Sequence, residues 1–436
     1  MKLQTIRSER LQEEYLYGKH ETGLEILLAP MPGFQSVYAQ FGAKVGSIDT
    51  AFKTDLSADY TEVPAGIAHY LEHKLFESED GDAFSLFAKT GASANAFTSF
   101  DRTCYLFSAT QQVEESLRAL LTFVQHPYFT KETVQKEQGI IGQEIQMYED
   151  DPDWCVFCNL LEALYHEHPV RVNIAGTVES ISHITADLLY ECYHTYYNLN
   201  NMVLVVAGNF DPDAVMQVVE ECLVKKDPVT VYPKPFEEPQ TVCRDRVTQS
   251  MSVSAPMFAL GYKEAPLEGR ELLQAQLEYE VLLDVLTGES SSLYRELYNG
   301  GWINQTFGYE VFSGRGYLSV LFSGEAKQPD EVRRKLQQAL DEAKETGITQ
   351  EDFDRSRKAL YGRLLRGLTR VEGVANSLMS AQMSGISMYD SFDILSTLTL
   401  EGVYARLRGS FDAARSALSV IEPAKSTDTA PKEQEG

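Results

Sequence analysis

Residues 66–77 read GIAHYLEHKLFE, which places His69, Glu72 and His73 at relative positions 0, 3 and 4. On a helix that advances about 100° per residue, with His69 at 0°, Glu72 falls near 300° and His73 near 40°. Ile67, Leu71 and Leu75 fall at roughly 160°, 200° and 240°, so the apolar stripe opposes the polar one. One turn apart, the two imidazoles have Cβ atoms roughly 5–6 Å from each other, close enough to share a zinc ion at about 2.0–2.1 Å per nitrogen. An oxygen ligand and a water would complete a catalytic site of three protein ligands. Glu72 lies between the histidines, placed to take a proton from metal-bound water, whose pKa zinc lowers towards about 7, and to deliver it to a leaving amine. Together these residue types describe amide hydrolysis. The other reading, a solvated helix face with incidental histidines, stands against the scarcity of histidine, 8 residues in 436.

The spacing predicts the carrying helix from about Pro64 to Phe76, with Pro64 in the first turn, where its missing N–H costs little. Upstream, Leu24, Ile26 and Leu28, then Val37, Ala39 and Phe41, alternate as two strands of a hairpin broken by APMPGF. Downstream come a short helix over 84–89, ended at Thr90-Gly91, and ASANAFTSFDRTCYLFSA, two strands turning at Ser99 to Arg102. Amphipathic helices are expected over 112–124 and 131–148, and a buried strand over NMVLVVAG, 201–208.

Four prolines in DPVTVYPKPFEEPQ (227–240) mark a stiff extended linker that belongs to neither neighbour. It divides an N-terminal domain, 1–226, from a C-terminal domain, 241–421, and leaves 422–436 as a nearly apolar-free tail expected to be disordered. The second domain repeats the order of the first: a helix over Glu271 to Leu286, SSSLYRELYNGG, a strand pair in WINQTFGYEVFSGRGYLSVLFSG, then a helix from Pro329. Where the first has its histidines, the second has LEYEVLLDVL. Two readings stay open, a duplication of which one copy kept the unusual residues, or two unrelated α+β domains that both use strand hairpins.

Composition narrows the classes. With 43% hydrophobic and 23% charged residues the chain is globular, and it offers no run of about 20 apolar residues for a membrane span. A formal charge of −26 without a basic patch argues against nucleic acid and anionic lipid partners. The N-terminus lacks a signal-peptide core, and the six scattered cysteines suit free thiols in a reducing cytoplasm.

The pattern H-x-x-E-H is the inverted form of the commoner zinc-protease motif, the inverzincin signature. Beyond these five positions the chain resembles the insulinase/pitrilysin family of zinc metallopeptidases, in particular its bacterial half-length members similar to the mitochondrial processing peptidase. GIAHYLEHKLFES resembles the family's metal helix, GASANAFTSFDRTCYLFS its strand hairpin, and QKEQGIIGQEIQMYEDDPDW its downstream glutamate helix. IAGTVESISHITADLLYECYHTYYNLNNMVLVVAGNF resembles the block that closes the first domain. The resemblance covers most of residues 20–215 and, more weakly, the second half.

That resemblance implies a third zinc ligand in Glu144, 71 residues beyond His73. It makes Glu137, seven residues earlier on the same helix face, the acid that supports catalysis by orienting a histidine ligand. Residue types alone do not select this pair, because Glu132, Glu149, Asp150 and Asp151 lie close by. The family's substrate lies as an added strand along a sheet edge. The matching segment is Ala94, Asn95, Ala96 and Phe97, which by itself reads as an ordinary small-residue edge strand. For the family's arginine and tyrosine that hold the scissile carbonyl, the candidates are Arg315 and Tyr317 in a turn of the second domain, or residues of a partner subunit.

The fold implied is α+β: two structurally similar domains, each a largely antiparallel sheet covered by helices, forming one half of a clamshell. The function implied is a zinc-dependent endopeptidase, one zinc per chain, that cleaves peptides or unfolded segments by zinc-hydroxide attack with Glu72 as base. The half-length chain would pair with a copy of itself or with a related inactive-type subunit. A non-catalytic peptide-binding or assembly subunit is the alternative, opposed by the intact His69, Glu72, His73 and Glu144 set. A zinc-stabilised scaffold would need a fourth protein ligand. Elsewhere, Cys155 and Cys158 form a lone C-x-x-C that reads as helical core thiols. His166 and His168 in YHEHPV read as turn residues, and SGRGYL and GESSS lack phosphate-loop spacing.

Overall fold

The computed structural model describes residues 1–57, 59–79 and 81–424. The chain opens with β1 (Gln4–Ser8), β2 (Glu13–Lys19), β3 (Glu25–Pro30) and β4 (Val37–Ala43). Short strands β5 (Ala51–Thr54) and β6 (Thr61–Glu62) lead into α1 (Ile67–Leu75), and the small ladder of β7 (Glu77–Ser78) with β8 (Gly81–Asp82) leads into α2 (Phe84–Thr90). The hairpin of β9 (Ser93–Thr98) and β10 (Thr103–Ala109) follows, then α3 (Val113–Gln125), α4 (Lys131–Glu149) and α5 (Pro152–Leu164). The first half closes with α6 (Val178–Ser182), α7 (Ala186–Tyr196), β11 (Met202–Gly208) and α8 (Pro212–Cys222).

After β12 (Val231–Pro233) come β13 (Arg246–Met251), β14 (Met257–Glu264), α9 (Gly269–Thr287) and α10 (Ser292–Asn299). The hairpin of β15 (Gly308–Gly314) and β16 (Tyr317–Glu325) precedes α11 (Pro329–Thr346), α12 (Gln350–Gly367) and α13 (Val371–Met383). The described chain ends with α14 (Asp390–Thr397), α15 (Leu400–Gly409) and β17 (Ser416–Pro423).

The two sheets settle the question of duplication. The first has the order β1-β2-β3-β11-β4-β10-β9 and the second β13-β17-β14-β16-β15. Leaving out β1 and β2, the orders correspond strand for strand. In each the one parallel pair is the same, β3 with β11 and β13 with β17, and every other neighbour is antiparallel. A shared five-strand order with a shared parallel pair is far more specific than two hairpins, so the halves are structurally related α+β units, as expected. They are also interlocked. From the first half, α5 packs on β14 and β17, and from the second, α13 packs on β11 and β4. Each sheet therefore has its own helices on one face and a helix of the other half on the opposite face.

Four local expectations change. β3 and β4 are not a hairpin, because β11 lies between them, parallel to β3 and antiparallel to β4. All seven residues of β11 are buried, which suits a strand with neighbours on both edges and helices on both faces. The metal-motif helix starts at Ile67 and not at Pro64, because Gly66 has φ 90° and breaks the helical path. A Cβ on Gly66 would stand 2.4 Å from the Ala175 carbonyl oxygen, so only glycine allows the two segments to meet there. The proline-rich segment is tied down: Val231–Pro233 pairs with β5, and Glu238 accepts hydrogen bonds from the amides of His166, Glu167 and His168 at 2.7–2.9 Å. The expected tail begins too early at 422, since β17 continues through Pro423, and residues 425–436 lie outside the described residues.

Candidate metal centre and substrate edge

α1 is held by its apolar stripe. Ile67, Leu71 and Leu75 are buried in the core of the first half, and the fully buried Tyr70 donates its hydroxyl to the Val134 carbonyl of α4. On α4, Thr130 caps the N-terminus by accepting from the Thr133 amide at 3.2 Å, while Val134, Ile141 and Ile145 are buried. The two helices thus face each other with His69, Glu72 and His73 on one and Glu137 and Glu144 on the other.

Nε2 of His69 lies 3.6 Å from Glu144 Oε1, and Nε2 of His73 lies 3.3 Å from Glu144 Oε2. Donor atoms of His69, His73 and Glu144 all lie within 4.8 Å of one another, so this group of three could hold a metal ion. A tetrahedron with ligand bonds of about 2.0–2.2 Å has an edge of roughly 3.3–3.6 Å. The observed separations match that edge better than they match the shorter charge-assisted hydrogen bonds of imidazolium to carboxylate. Nδ1 of His73 is 3.0 Å from Glu137 Oε1, an arrangement that fixes the ring with Nε2 turned to Glu144. His69 lacks such support: among the described residues its buried Nδ1 has no hydrogen-bond partner.

The electrostatics describe a pocket short of positive charge. Burial opposes the charged form of His73, yet hydrogen bonds to Glu137 and Glu144 push its pKa up to about 10. Hydrogen bonds from His69 and His73 hold the Glu144 carboxyl well below the usual range, and the His73 bond lowers Glu137. Carboxylates that draw a proton onto imidazole will accept a divalent cation in its place.

Glu72 is oriented by Thr98 Oγ1, which donates to its Oε2 at 2.7 Å, and Tyr148 donates to Glu144 Oε1 at 2.8 Å. The sequence reading missed both. Tyr148 stands one helical turn beyond Glu144, a usable signal, whereas nothing local ties Thr98 to Glu72. Beside the motif opens a cleft of ≈ 510 Å³ walled by Glu72, His73, Phe76, Phe84, Asn95 and Ala96. Phe76 and Phe84 stack with centroids 4.4 Å apart.

Among the described residues β9 is the terminal strand of its sheet, paired with β10 alone. The Ser99 amide donates to the Arg102 carbonyl at 2.8 Å. In an antiparallel ladder the hydrogen-bonded pairs then recur at 97 with 104 and 95 with 106, which turns the amides and carbonyls of Ala94, Ala96 and Thr98 to the open edge. The Ala96 amide is covered by its neighbour, donating to Asn95 Oδ1 at 2.9 Å. Asn95 and Ala96 line the cleft; Phe97 is 38% exposed, shares the strand face of Asn95 and has Cys104 as its partner on β10.

Arg315 and Tyr317 do not reach this cleft. The Arg315 guanidinium pairs with buried Asp49, and Tyr317 is buried against Phe312, His168 and Phe100. His168 is a buried turn residue: Nδ1 accepts from the Val170 amide at 3.1 Å and Nε2 donates to the Arg315 carbonyl at 3.0 Å. Cys155 and Cys158 are free thiols on α5, and burial pushes Cys158 up to about 12.

Comparison with known proteins shows the family. The profile of the insulinase family, peptidase family M16, matches residues 57–178, and that of the peptidase M16 inactive domain matches 183–360. The chain is 42% identical to the uncharacterized zinc protease YmfH of Bacillus subtilis (strain 168), over 97% of this chain and 99% of that one. It shares 36% identity and a TM-score of 0.91 with the crystal structure of an M16-like peptidase from Alicyclobacillus acidocaldarius, covering 97% and 99% of the two chains. The chain belongs to the insulinase (M16) peptidase family. At 16% identity and a TM-score of 0.72, its fold also superposes on the periplasmic protease PqqL of Escherichia coli, covering 96% of this chain and 48% of that one. The fold thus corresponds to about half of that longer chain. Among the described residues no helix is long and apolar enough to cross a membrane.

Proposed function

We propose that the chain is a zinc-dependent endopeptidase acting on peptides or unfolded segments, with one zinc held by His69, His73 and Glu144. The observation that carries this reading is the convergence of two histidine nitrogens and a glutamate oxygen at ligand spacing beside a free carboxylate and an open strand edge. When bound, zinc supplies Lewis-acid polarisation of water and of the scissile carbonyl. Glu72, oriented by Thr98, accepts the proton of the attacking water and returns it to the departing amine. Glu137 holds His73 in the ligating orientation. Ala94, Ala96 and Thr98 offer their backbone groups to a peptide laid along β9, and Asn95 withdraws from the Ala96 amide as the peptide carbonyl takes its place. The names of the relatives, zinc proteases, support the metal.

The match to 48% of the PqqL chain supports pairing with a second copy or with a related inactive-type subunit. Six free thiols support a reducing, cytoplasmic setting. The deciding experiment is Glu72→Gln: it should retain one zinc per chain by metal analysis and lose peptide cleavage by at least ~100-fold. Cleavage by this variant at the wild-type rate sinks the mechanism. Zinc binding without cleavage by the wild type, alone or with a partner chain, would instead mark a peptide-binding subunit.

A further inference from the structure

The tip of the β9–β10 hairpin is gripped from two sides. The amides of Ser47 and Ile48 donate to the carbonyls of Ser99 and Phe100 at 3.0 Å each. Gly46 comes so close that a Cβ there would stand 2.4 Å from the Phe100 carbonyl. The gripping loop is organised by Asp49, whose side chain is 1% exposed. Its Oδ2 accepts from the Gly46 amide at 2.9 Å, and its Oδ1 pairs with the guanidinium of Arg315, in the β15–β16 turn of the second half. Around this pair, Phe100 packs edge-on against Phe312 and Tyr317, with centroids 5.4 and 6.2 Å apart, and Arg102 donates to Ser380 of α13 at 2.8 Å. One residue before the tip stands Thr98, which holds Glu72, and two before that Ala96, whose amide faces the open edge.

We propose that Arg315 is a positioning residue: through its pair with buried Asp49 it fixes the 46–48 loop and the hairpin tip, and so sets the peptide-receiving edge of β9 against Glu72. A carboxylate this deeply buried stays ordered only while it is compensated. Burial pushes the Asp49 carboxyl up, and the Arg315 charge opposes that rise. Without the guanidinium, Asp49 either takes a proton or draws its loop towards water, and in both cases the grip on Ser99 and Phe100 loosens. The "inactive" second half thereby contributes to the substrate edge without touching substrate. This assignment rests on the peptidase reading for its consequence, while its first test does not.

Hydrogen exchange on the full chain, comparing wild type with Arg315→Met, reads the edge directly. Asn95 and Phe97 bond to β10, and their amides should lose protection about tenfold, with α1 and α13 unchanged. Arg315→Lys, which keeps the charge, should restore most of it. Should Arg315→Met alone fail to fold, the double variant Asp49→Asn with Arg315→Met removes the stranded charge and should show the same loss. On a cleaved peptide, KM should rise about tenfold while kcat stays within about threefold and zinc content is unchanged. A folded variant with wild-type protection at 95 and 97 overturns the assignment, as does a fall in kcat with KM unchanged. A wild-type chain that cleaves nothing defeats the peptidase reading instead, and the exchange result then decides the role of Arg315 alone.

Discussion

Replacing Glu137 by glutamine keeps the shape of the side chain and removes its charge, and the consequence for the metal can be worked from two distances. Oε1 of Glu137 is 3.0 Å from Nδ1 of His73, and the opposite ring nitrogen is 3.3 Å from Glu144 Oε2. A carboxylate behind the ring fixes the tautomer and makes the far nitrogen a stronger donor; loss of such a partner typically weakens metal binding by about 10–100-fold. That is ~1.4–2.8 kcal/mol. A carboxamide oxygen still accepts the Nδ1 proton, at roughly half the strength of a charged acceptor, which places the expected loss near the lower end. Glu144→Gln removes a ligand and should cost more, whereas Glu72→Gln removes none and should leave affinity near wild type. Competition of each variant against a chelating dye, with circular dichroism to establish folding, measures the order directly. The reasoning is refuted if Glu137→Gln binds zinc as tightly as wild type, or if Glu72→Gln weakens binding more than Glu137→Gln does.

The edge and the fold carry further expectations. Ala96→Pro deletes an amide that faces the open edge, and proline is tolerated on an edge strand in that orientation; KM for peptide should rise about tenfold with zinc affinity unchanged, and an unaltered KM would remove β9 as the docking strand. His168 is fully buried, and burial lowers its pKa from 6.5 to about 4 despite the bond to the Arg315 carbonyl. The unfolded chain therefore binds a proton between those values that the folded chain does not. This contribution to stability is complete above about pH 6.5 and is lost as pH falls towards 4, by up to ~3 kcal/mol. Denaturant midpoints across that window should slope with pH in the wild type and flatten in His168→Gln; parallel slopes would count against it.

Much of the site was legible because its signals are local. Three residues within one turn and a half of helix suggested the chemistry, and the position of Gly91 and the Ser99 to Arg102 turn gave the hairpin that forms the edge. Glu144 was different. Helical periodicity places Glu137 and Glu144 on one face, but Glu132, Glu149, Asp150 and Asp151 stand nearby, and what selects among them is how α4 lies on α1. That depends on long-range packing, such as the Tyr70 hydroxyl meeting the Val134 carbonyl. The insertion of β11 between β3 and β4 is of the same kind: alternation within residues 24–41 identifies two strands, and only the fully buried run far downstream decides that they are not neighbours. Thr98 carried no signal at all, since its role arises where a strand end meets a helix.

The relation between the halves explains why one of them alone suits a metal. In topology α9 and α12 stand where α1 and α4 stand, and α9 too buries a carboxylate. Glu278 on α9 is 3% exposed and accepts from Arg406 Nε at 2.8 Å, while Glu280 lies 3.9 Å from the Arg363 guanidinium of α12. At Glu278 the second half thus supplies its own fixed cation, which already balances the buried carboxylate. In the first half, among the described residues, the ion-pair partners of Glu137 and Glu144 are histidines only. Imidazole can give up its proton and bind a metal ion through the freed nitrogen, where guanidinium cannot. A site built from carboxylates and imidazoles can therefore exchange a proton for a metal ion, and a site built from carboxylates and arginine is closed by its own charge. On the proposed reading the second half acts as a frame, through Arg315, Phe312 and α13, that holds the strand along which a peptide would lie.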